Sequence, residues 1–305
     1  MTLIIESGAT KAEWALRDGS GVLRFRTPGI NAAVMPVSAI LEIVADAAEK
    51  IDLEYSAGKL CPGFSGNPGD AEDGTGIGPG GQKASSMVTD IRYYGAGLVG
   101  GESIIILDNI FKAVFPAAEI AYGSDLLAAA MAGLGTEPGI VAILGTGSNS
   151  AFYDGHQIVR NIRPGGFILG DEGGGVTLGK AFVADFIKGL LPEELADAFR
   201  ERFGLTYETI VKNVYSGTNP SGYLASFVPF ILENRSYGCV AGMVRDNFQS
   251  FISRCIMQYD YRKYPVAVVG SFGNACREEL MQLGVENGVN FCKFAPSPIE
   301  ALIYV

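Results

Sequence analysis

The amino-acid sequence predicts an α/β protein built from two tandem lobes. With 305 residues, 48% of them hydrophobic, the chain can bury either one large core or two medium ones. Apolar runs of strand length alternate with stretches of helical spacing, as an α/β chain requires. One strand-and-turn unit also occurs twice, which favours two lobes over one. The expected helices cover residues 37–50, 124–134, 175–190, 193–203 and 243–259.

The repeated unit begins the chain as LIIESGATKAEWALRDG, residues 3–19, and returns as GIVAILGTGSNSAFYDG, residues 139–155. Each copy is an apolar run, a small-residue turn, a second run and a polar turn, a pattern typical of a β-hairpin. The separation far exceeds the roughly 20 to 50 residues of a solenoid repeat, so a duplicated domain is expected. Two such hairpins would present their turns to each other across a cleft.

Two further segments stand out. YPVAVVGSFGNACREELMQLG, residues 264–284, predicts a β-branched strand, a glycine turn and a helix. Residues 58–83 are rich in Gly, Pro and Asp and predict a long loop or partly disordered insertion. This insertion holds a GxGxxG match, but no apolar strand precedes the match, so a dinucleotide site is not favoured there.

Composition excludes several classes of function. A formal charge of −10 disfavours nucleic acid and anionic membranes as partners. No run of about 18 apolar residues and no basic leader is present, so a soluble, cytoplasmic protein is expected. The cysteines are odd in number and include no CxxC pair, which disfavours a disulfide framework or a zinc site. They are Cys61, Cys239, Cys255, Cys276 and Cys292.

The two glycine turns are candidates for holding a polyphosphate. Glycines let backbone N–H groups approach a ligand, and threonine or serine hydroxyls add donors. An ordinary hairpin turn explains either segment alone, and the pairing of the two favours phosphate binding. The candidate residues are Gly8, Ala9, Thr10 and Lys11 in the first turn and Gly145, Thr146, Gly147, Ser148 and Asn149 in the second.

Three carboxylates are candidates for metal or proton chemistry. Glu6 ends the first strand and could reach a hydrated Mg²⁺, or it is a strand-end acid facing solvent. Asp125 opens an alanine-rich helix, where it could act as a general base or serve as an N-cap or first-turn acid. Asp171 lies in GGFILGDEGGG, where a ligand or a tight corner would explain the glycines. The lone His156 lies in a polar turn, so a Ser/His/Asp scheme is not supported.

The order of ESGATK, SD before an alanine-rich helix, ILGTGSNS, GGFILGDEGGG and VVGSFGNACREEL resembles the N-acetylglucosamine kinase-like members of the BadF/BadG-type ATPase family. This family lies in the actin, hexokinase and sugar-kinase superfamily. The resemblance spans the chain apart from the insertion. It implies two ribonuclease-H-like lobes with an interlobe cleft, the first covering 1–117 and the second 118–296, with a C-terminal helix at 297–305 packing on the first.

The same resemblance implies ATP-dependent, Mg²⁺-assisted phosphorylation of a small-molecule sugar, N-acetylglucosamine, to its 6-phosphate. Asp125 would be the general base, and Glu6 would hold Mg²⁺ through water. The turn Gly8, Ala9, Thr10 and Lys11 and the turn Gly145 to Gly147 would hold the phosphates. Gly270, Ser271 and Gly273 would lie against the adenosine, and Asn31, Thr146, Asn149 and Asp171 would contact the sugar.

One departure keeps alternatives open. The family's first motif usually begins with aspartate, and Glu6 is longer by about one C–C bond, roughly 1.5 Å, in chemistry that depends on positioning. A catalytically silent sugar- or nucleotide-binding homologue is therefore an alternative. An ATPase activator of a dehydratase or reductase is another, which the scattered cysteines disfavour. Sequence spacing does not rank N-acetylglucosamine against other hexoses, and a homodimer is only the base-rate expectation.

Overall fold

A computed structural model of the chain describes residues 1–8, 10–19, 21–57, 83–98 and 101–304. These residues form two units, one of Met1–Ala128 with Ile299–Val305 and one of Ala129–Pro298. Each unit contains a five-stranded sheet with helices. The prediction of an α/β chain with two lobes is confirmed. The insertion at 58–82 and the turn residue Ala9 lie outside the described residues.

The first unit begins with the predicted hairpin. Its strands are β1 (Thr2–Ser7), β2 (Lys11–Arg17), β3 (Val22–Pro28), β4 (Asp90–Gly95) and β5 (Glu119–Ser124). They lie in the order β3-β2-β1-β4-β5, antiparallel across β1, β2 and β3 and parallel across β1, β4 and β5. Alternation along β1 buries Leu3 and Ile5 in one core with Trp14 and Tyr93.

Three helices follow in the first unit: α1 (Val37–Ser56), α2 (Gly101–Val114) and α3 (Asp125–Leu134), which continues into the second. Helix α1 buries Ile40, Val44 and Ile51, the helical spacing that predicted it, and runs six residues beyond the expected end at 50. Near its C-terminus, Asp52 accepts hydrogen bonds from the Ser85 backbone N–H at 2.7 Å and hydroxyl at 3.1 Å. These bonds tie α1 to the segment that follows the insertion.

The second unit repeats the plan of the first. Its strands are β6 (Gly139–Leu144), β7 (Ser148–Tyr153), β8 (Ile158–Ile162), β9 (Val266–Val269) and β10 (Phe291–Ala295), in the order β10-β9-β6-β7-β8. Strands β6, β7 and β8 are antiparallel, while β6, β9 and β10 are parallel. Read from the hairpin outward, the order matches that of the first sheet. The two hairpins found in the sequence therefore occupy equivalent positions.

Most helices of the second unit lie between β8 and β9. They are α4 (Gly166–Leu169), α5 (Gly175–Ile187), α6 (Glu193–Phe203), α7 (Tyr207–Tyr215), α8 (Pro220–Ala225), α9 (Val228–Glu233) and α10 (Gly238–Arg254), with α11 (Ser271–Ala275) and α12 (Arg277–Asn287) after β9. Phenylalanines of α5 and α9 pack ring to ring around Phe199 of α6. The final helix, α13 (Ile299–Leu302), belongs to the first unit, where Glu300 pairs with Arg24.

The expected boundary at 117 is corrected by the structure. Strand β5 pairs in parallel with β4 along six residues, from Glu119 opposite Asp90 to Ser124 opposite Gly95. Because these backbone hydrogen bonds complete the first sheet, the first unit extends to Ala128. In the part of the chain that the structure describes, no helix is both long and apolar enough to cross a membrane.

Candidate active site

The predicted site residues fall in both units, and the first group surrounds the β1–β2 turn. The Gly8 N–H donates to the Lys11 carbonyl at 3.0 Å, which closes the turn. Thr10 and Lys11 are exposed. A Cβ on Gly8 would meet only the Lys11 carbonyl, at an ordinary 3.7 Å, so the space above the glycine is open. The turn presents a hydroxyl and an amine beside an accessible backbone, as a phosphate site requires.

Ser7, which the sequence analysis did not select, ties this turn to Asn31. Its buried hydroxyl accepts from the Ile30 N–H at 2.7 Å and lies 3.1 Å from the Ile30 carbonyl. The Tyr93 hydroxyl donates to the same carbonyl at 3.2 Å. Asn31 follows directly, so the end of β1 fixes its position. The sequence feature that could have identified Ser7 is a small polar residue placed between Glu6 and Gly8.

Asn31 is held closely against a second glycine. Its Oδ1 accepts from the Ala33 N–H at 3.1 Å. A Cβ on Gly97 would lie 2.1 Å from this Oδ1, and Gly97 has a φ of +76°. Both the close approach and the left-handed backbone require glycine there. Gly97 therefore belongs to the structural support of Asn31.

Glu6 lies in a strongly negative environment within the first unit. It is the cross-strand partner of Glu13, so both side chains lie on one face of the sheet. Burial raises the pKa of Glu6 to about 7, and the charges of Glu13 and Asp125 add to that effect while Lys11 opposes it. The structure thus brings Glu6 and Asp125 within electrostatic reach of each other. A cation at this position would be stabilised.

Glu13 organises the basic side chains near the turn. Its buried carboxylate accepts from Lys11 Nζ at 3.2 Å and from Arg26 Nε at 2.8 Å, both at Oε1. Lys11 is therefore oriented by a carboxylate two residues away, on the same face of β2. The role of Glu13 was missed because its ion pair with Arg26 joins residues on different strands.

Asp125 is the first residue of α3, but it does not cap the helix. Ser124 performs that role, since its hydroxyl accepts from the Leu127 N–H at 3.1 Å. Asp125 Oδ1 accepts from the Leu126 N–H at 2.8 Å. Burial raises the pKa of Asp125 above its ordinary value, against the lowering effect of the backbone hydrogen bonds. A carboxylate with a raised pKa is a better proton acceptor once ionised.

The second turn, between β6 and β7, is joined to helix α5. The Gly145 N–H donates to the Gly147 carbonyl at 3.0 Å. The carbonyls of Gly145 and Thr146 accept from the N–H groups of Gly175 and Val176, both at 2.8 Å. These bonds satisfy donors in the first turn of the helix. A Cβ on Gly145 would meet nothing within 4 Å, so its outer side is open.

Asp171 lies against this second turn. A Cβ on Gly147 would be 2.7 Å from Asp171 Oδ2, and the Ser148 N–H points to Asp171 Oδ1 at 3.5 Å. Asp171 has a φ of 57°, the one positive φ among non-glycine residues in the described ranges. Its carbonyl accepts from the Thr177 hydroxyl at 2.7 Å, which helps to hold this strained backbone. Burial raises the pKa of Asp171.

Asn247 of α10 supports the same glycine-rich loop. It is buried, and its side chain accepts from the Gly173 N–H at 2.9 Å and donates to the Gly174 carbonyl at 3.1 Å. The neighbouring Glu172 turns away and pairs with Arg254 at 2.6 Å. Asn247 is more than 70 residues from the loop, and no local pattern marks it.

The predicted segment at 270–273 packs against the end of β6. A Cβ on Gly270 would lie 2.3 Å from the Leu144 carbonyl oxygen, and Gly270 has a φ of +129°. A Cβ on Gly273 would lie 2.6 Å from Val268 Cγ1 and 2.8 Å from Leu144 Cβ. Both glycines are therefore required for close packing. The segment lies directly beside the second turn, because Gly145 follows Leu144.

A mainly apolar pocket of about 340 Å³ lies in the second unit beside these two segments. Helices α8 and α9 supply one wall, which the sequence did not indicate. Pockets with apolar walls and a few polar groups suit small organic ligands. The lining residues are Gly145, Thr146, Gly175, Ala225, Val228, Pro229, Leu232, Ser271, Phe272 and Ala275.

The donor set near Glu6 fits Mg²⁺ of the kind that phosphate substrates bring. Within the described ranges, no group of three or more His, Cys, Asp or Glu side chains is arranged to hold a metal ion. Mg²⁺ usually binds through one or two carboxylates, waters and substrate phosphates. Glu6, whose pKa is raised by burial and by neighbouring carboxylates, is a carboxylate suited to this mode of binding.

Two sheets of the same strand order, each opened by a glycine-turn hairpin, define the two-lobed actin-like ATPase fold. MreB 5 of Spiroplasma citri bound to AMPPNP matches with a TM-score of 0.54 and 11% identity, covering 99% of this chain and 93% of that one. A candidate N-acetylglucosamine kinase of Chromobacterium violaceum matches with a TM-score of 0.68 and 16% identity, covering 99% and 97%. These two likenesses show the fold.

A third comparison shows the family. A candidate N-acetylglucosamine kinase of Porphyromonas gingivalis matches with 31% identity and a TM-score of 0.84, covering 99% of this chain and 97% of that one. The chain therefore belongs to the N-acetylglucosamine kinase-like family. No protein-family model matches the sequence, and a search of curated proteins gives no match.

Proposed function

We propose that the protein is an ATP-dependent sugar kinase that phosphorylates N-acetylglucosamine at its 6-hydroxyl. The observation that carries this proposal is the equivalence of the two glycine turns, each at the same place in its sheet and each with a carboxylate beside it. Phosphoryl transfer needs such groups to position the phosphates and the acceptor. The family relative from Porphyromonas gingivalis supports the choice of sugar.

The nucleotide is assigned to residues of both turns. In the second unit, the adenosine is assigned to the 340 Å³ pocket, which Ser271 lines, while Gly270 and Gly273 let that segment pack against Leu144. The N–H groups of Gly8 and Gly145 close their own turns, so the phosphates are assigned to the other N–H and hydroxyl groups of these segments, and the Lys11 amine contributes charge. The segments comprise Gly8, Ala9, Thr10, Lys11, Gly145, Thr146 and Gly147. MreB 5, which shares this fold, was solved with AMPPNP.

Asp125 is the proposed general base. Its carboxylate accepts the proton of the sugar 6-hydroxyl as the oxygen attacks the γ-phosphorus, the bond to the bridging oxygen breaks and ADP leaves. The raised pKa of Asp125 suits that task. Asn31, Thr146, Asn149 and Asp171 bind the sugar. Mg²⁺, when bound with ATP and held by Glu6 through water, would neutralise charge on the phosphates.

The test compares two acids that both lie in the first turn of a helix in the first unit. Asp125→Asn should keep the fold and lower kcat for sugar-dependent ADP release by at least about 10²-fold, within the range for a lost general base. The matched control is Glu102→Gln, since Glu102 is an exposed first-turn acid of α2. It should leave kcat unchanged. Retained activity in Asp125→Asn, or equal losses in both variants, would contradict the assignment of Asp125.

A second candidate is a silent sugar-binding homologue, favoured by Glu6. Its pKa of about 7 leaves the carboxyl partly protonated at neutral pH, and its side chain is longer than aspartate. If the protein binds N-acetylglucosamine without releasing ADP, and Glu6→Asp also releases none, the silent candidate is correct. ADP release from Glu6→Asp but not from wild type would indicate a kinase whose metal site is inactivated by the longer glutamate side chain.

A further inference from the structure

The amide of Asn149 has a fixed orientation. Its Oδ1 accepts from the backbone N–H of Ser150 at 2.9 Å and from Asn161 Nδ2 at 2.8 Å. A backbone N–H can only donate, so the atom that faces it must be the amide oxygen. The Nδ2 group of Asn149 therefore points away from these partners and is left to donate.

Asn161 of β8 is fixed by the same logic. Its Nδ2 lies 2.7 Å from the Ser150 carbonyl and 3.3 Å from the Ile162 carbonyl. A carbonyl can only accept, so this atom must be the nitrogen. The Tyr259 hydroxyl joins the same strands, since it donates to the Ser150 carbonyl at 2.8 Å and accepts from the Ile162 N–H at 2.9 Å. Neither asparagine amide can flip without losing bonds to the backbone.

Asn31 shows the same arrangement in the first unit. Its Oδ1 accepts from the Ala33 N–H at 3.1 Å, so its Nδ2 is also the group left to donate. Both asparagines assigned to the sugar thus present N–H donors, whereas Asp171 presents a carboxylate that accepts when ionised.

We propose that Asn161 is a positioning residue that holds Asn149 as a hydrogen-bond donor, and that the site consequently selects sugars with a neutral, lone-pair-bearing group at that position. This inference rests on the proposed function. A hydroxyl or an N-acyl oxygen accepts from the amide. A protonated amine has three donors and no acceptor. The Asn149 N–H and the amine N–H that faces it would therefore both lack an acceptor. The substrate class is therefore neutral or N-acylated hexoses rather than free amino sugars.

The test exchanges only the outward group of Asn149. Asn149→Asp is nearly isosteric and keeps an oxygen for the Ser150 N–H and Asn161 Nδ2, but it presents an anionic acceptor outward. ADP release is measured with N-acetylglucosamine, glucose and the 2-, 3- and 4-amino-deoxyglucoses. In Asn149→Asp, kcat/KM for one amino sugar relative to glucose should rise at least about 10-fold, the scale of one mispaired polar group. Unchanged ratios for all three amino sugars would overturn the inference.

A second variant tests the positioning role. Asn161→Ala should raise KM for the sugar about 3- to 10-fold while kcat and KM for ATP stay unchanged, because the contacts of Asn161 are with Asn149, Ser150 and Ile162 and not with residues assigned to ATP. Arg160→Ala, a neighbour on β8 that donates to the Gln258 carbonyl, is the control and should change neither constant. An unchanged KM for the sugar in Asn161→Ala would overturn the positioning role. If wild-type protein turns over no sugar at all, the proposed function fails and this inference fails with it.

Discussion

The two glycine turns occupy equivalent positions in their sheets, yet they are supported in different ways. The first closes on itself through Gly8 and Lys11 and is surrounded by charged groups, Glu6 and Glu13 among them. The second carries no charge, and its carbonyls hold the start of α5. The first turn therefore lies among charged side chains, whereas the second is held mainly by packing and backbone hydrogen bonds.

The close packing beside the second turn predicts the largest effect, which is on stability. Gly270→Ala should lower the free energy of unfolding by about 2 to 4 kcal/mol, because its Cβ would meet the Leu144 carbonyl oxygen at 2.3 Å and its φ is +129°. Chemical denaturation measures the loss. The control is Gly242→Ala in α10, where a Cβ meets nothing within 4 Å, and it should be neutral or stabilising. Equal stability of both variants would contradict the packing role.

The charged groups around the first turn predict an effect on nucleotide binding. Lys11→Met should raise KM for ATP about 10-fold, because the first turn loses its phosphate-directed cation. Lys50→Met removes another lysine of the first unit, one that lies over the Phe25 ring, and should leave KM for ATP unchanged. The steady-state ATP dependence measures both. An unaltered KM for ATP in Lys11→Met would mean that Lys11 pairs with Glu13 and does not contribute to ATP binding.

The charged groups around the first turn also predict a pH dependence of stability. The pKa of Glu6 is raised in the folded chain, from 4.5 to about 7, so between these values the folded state holds the proton longer and stability falls as pH rises. Glu6→Gln removes this loss, so the variant should gain stability relative to wild type as pH rises from 4.5 to 8.

An acid of the second unit supplies a control of opposite sign. The backbone N–H groups of Gln157 and His156 lower the pKa of Asp154, so its ionised form favours the folded state. Asp154→Asn should therefore lose stability relative to wild type as pH rises through the acidic range. Parallel denaturation series measure both differences. Differences of the same sign in Glu6→Gln and Asp154→Asn would contradict the electrostatic account of Glu6.

The sequence predicted what local patterns encode and missed what distant contacts create. Alternation and turn chemistry identified both hairpins, strand β9 and most long helices. The boundary at 117 was wrong because β5 is defined by its pairing with β4. Asn247, Gly97 and the α8–α9 wall of the pocket support site residues from remote positions, so only the folded chain reveals them. The donor orientation of Asn149 likewise depends on Asn161 of a neighbouring strand.

The most direct test of the central claim is to incubate the wild-type protein with Mg²⁺, ATP and N-acetylglucosamine and to identify the product by phosphorus NMR alongside ADP release. The account predicts N-acetylglucosamine 6-phosphate formed in equal amount with ADP, and formed at least about 10²-fold more slowly by Asp125→Asn. Release of ADP without a sugar phosphate, or no turnover in wild type and in Glu6→Asp, would contradict the claim that this protein is a sugar kinase.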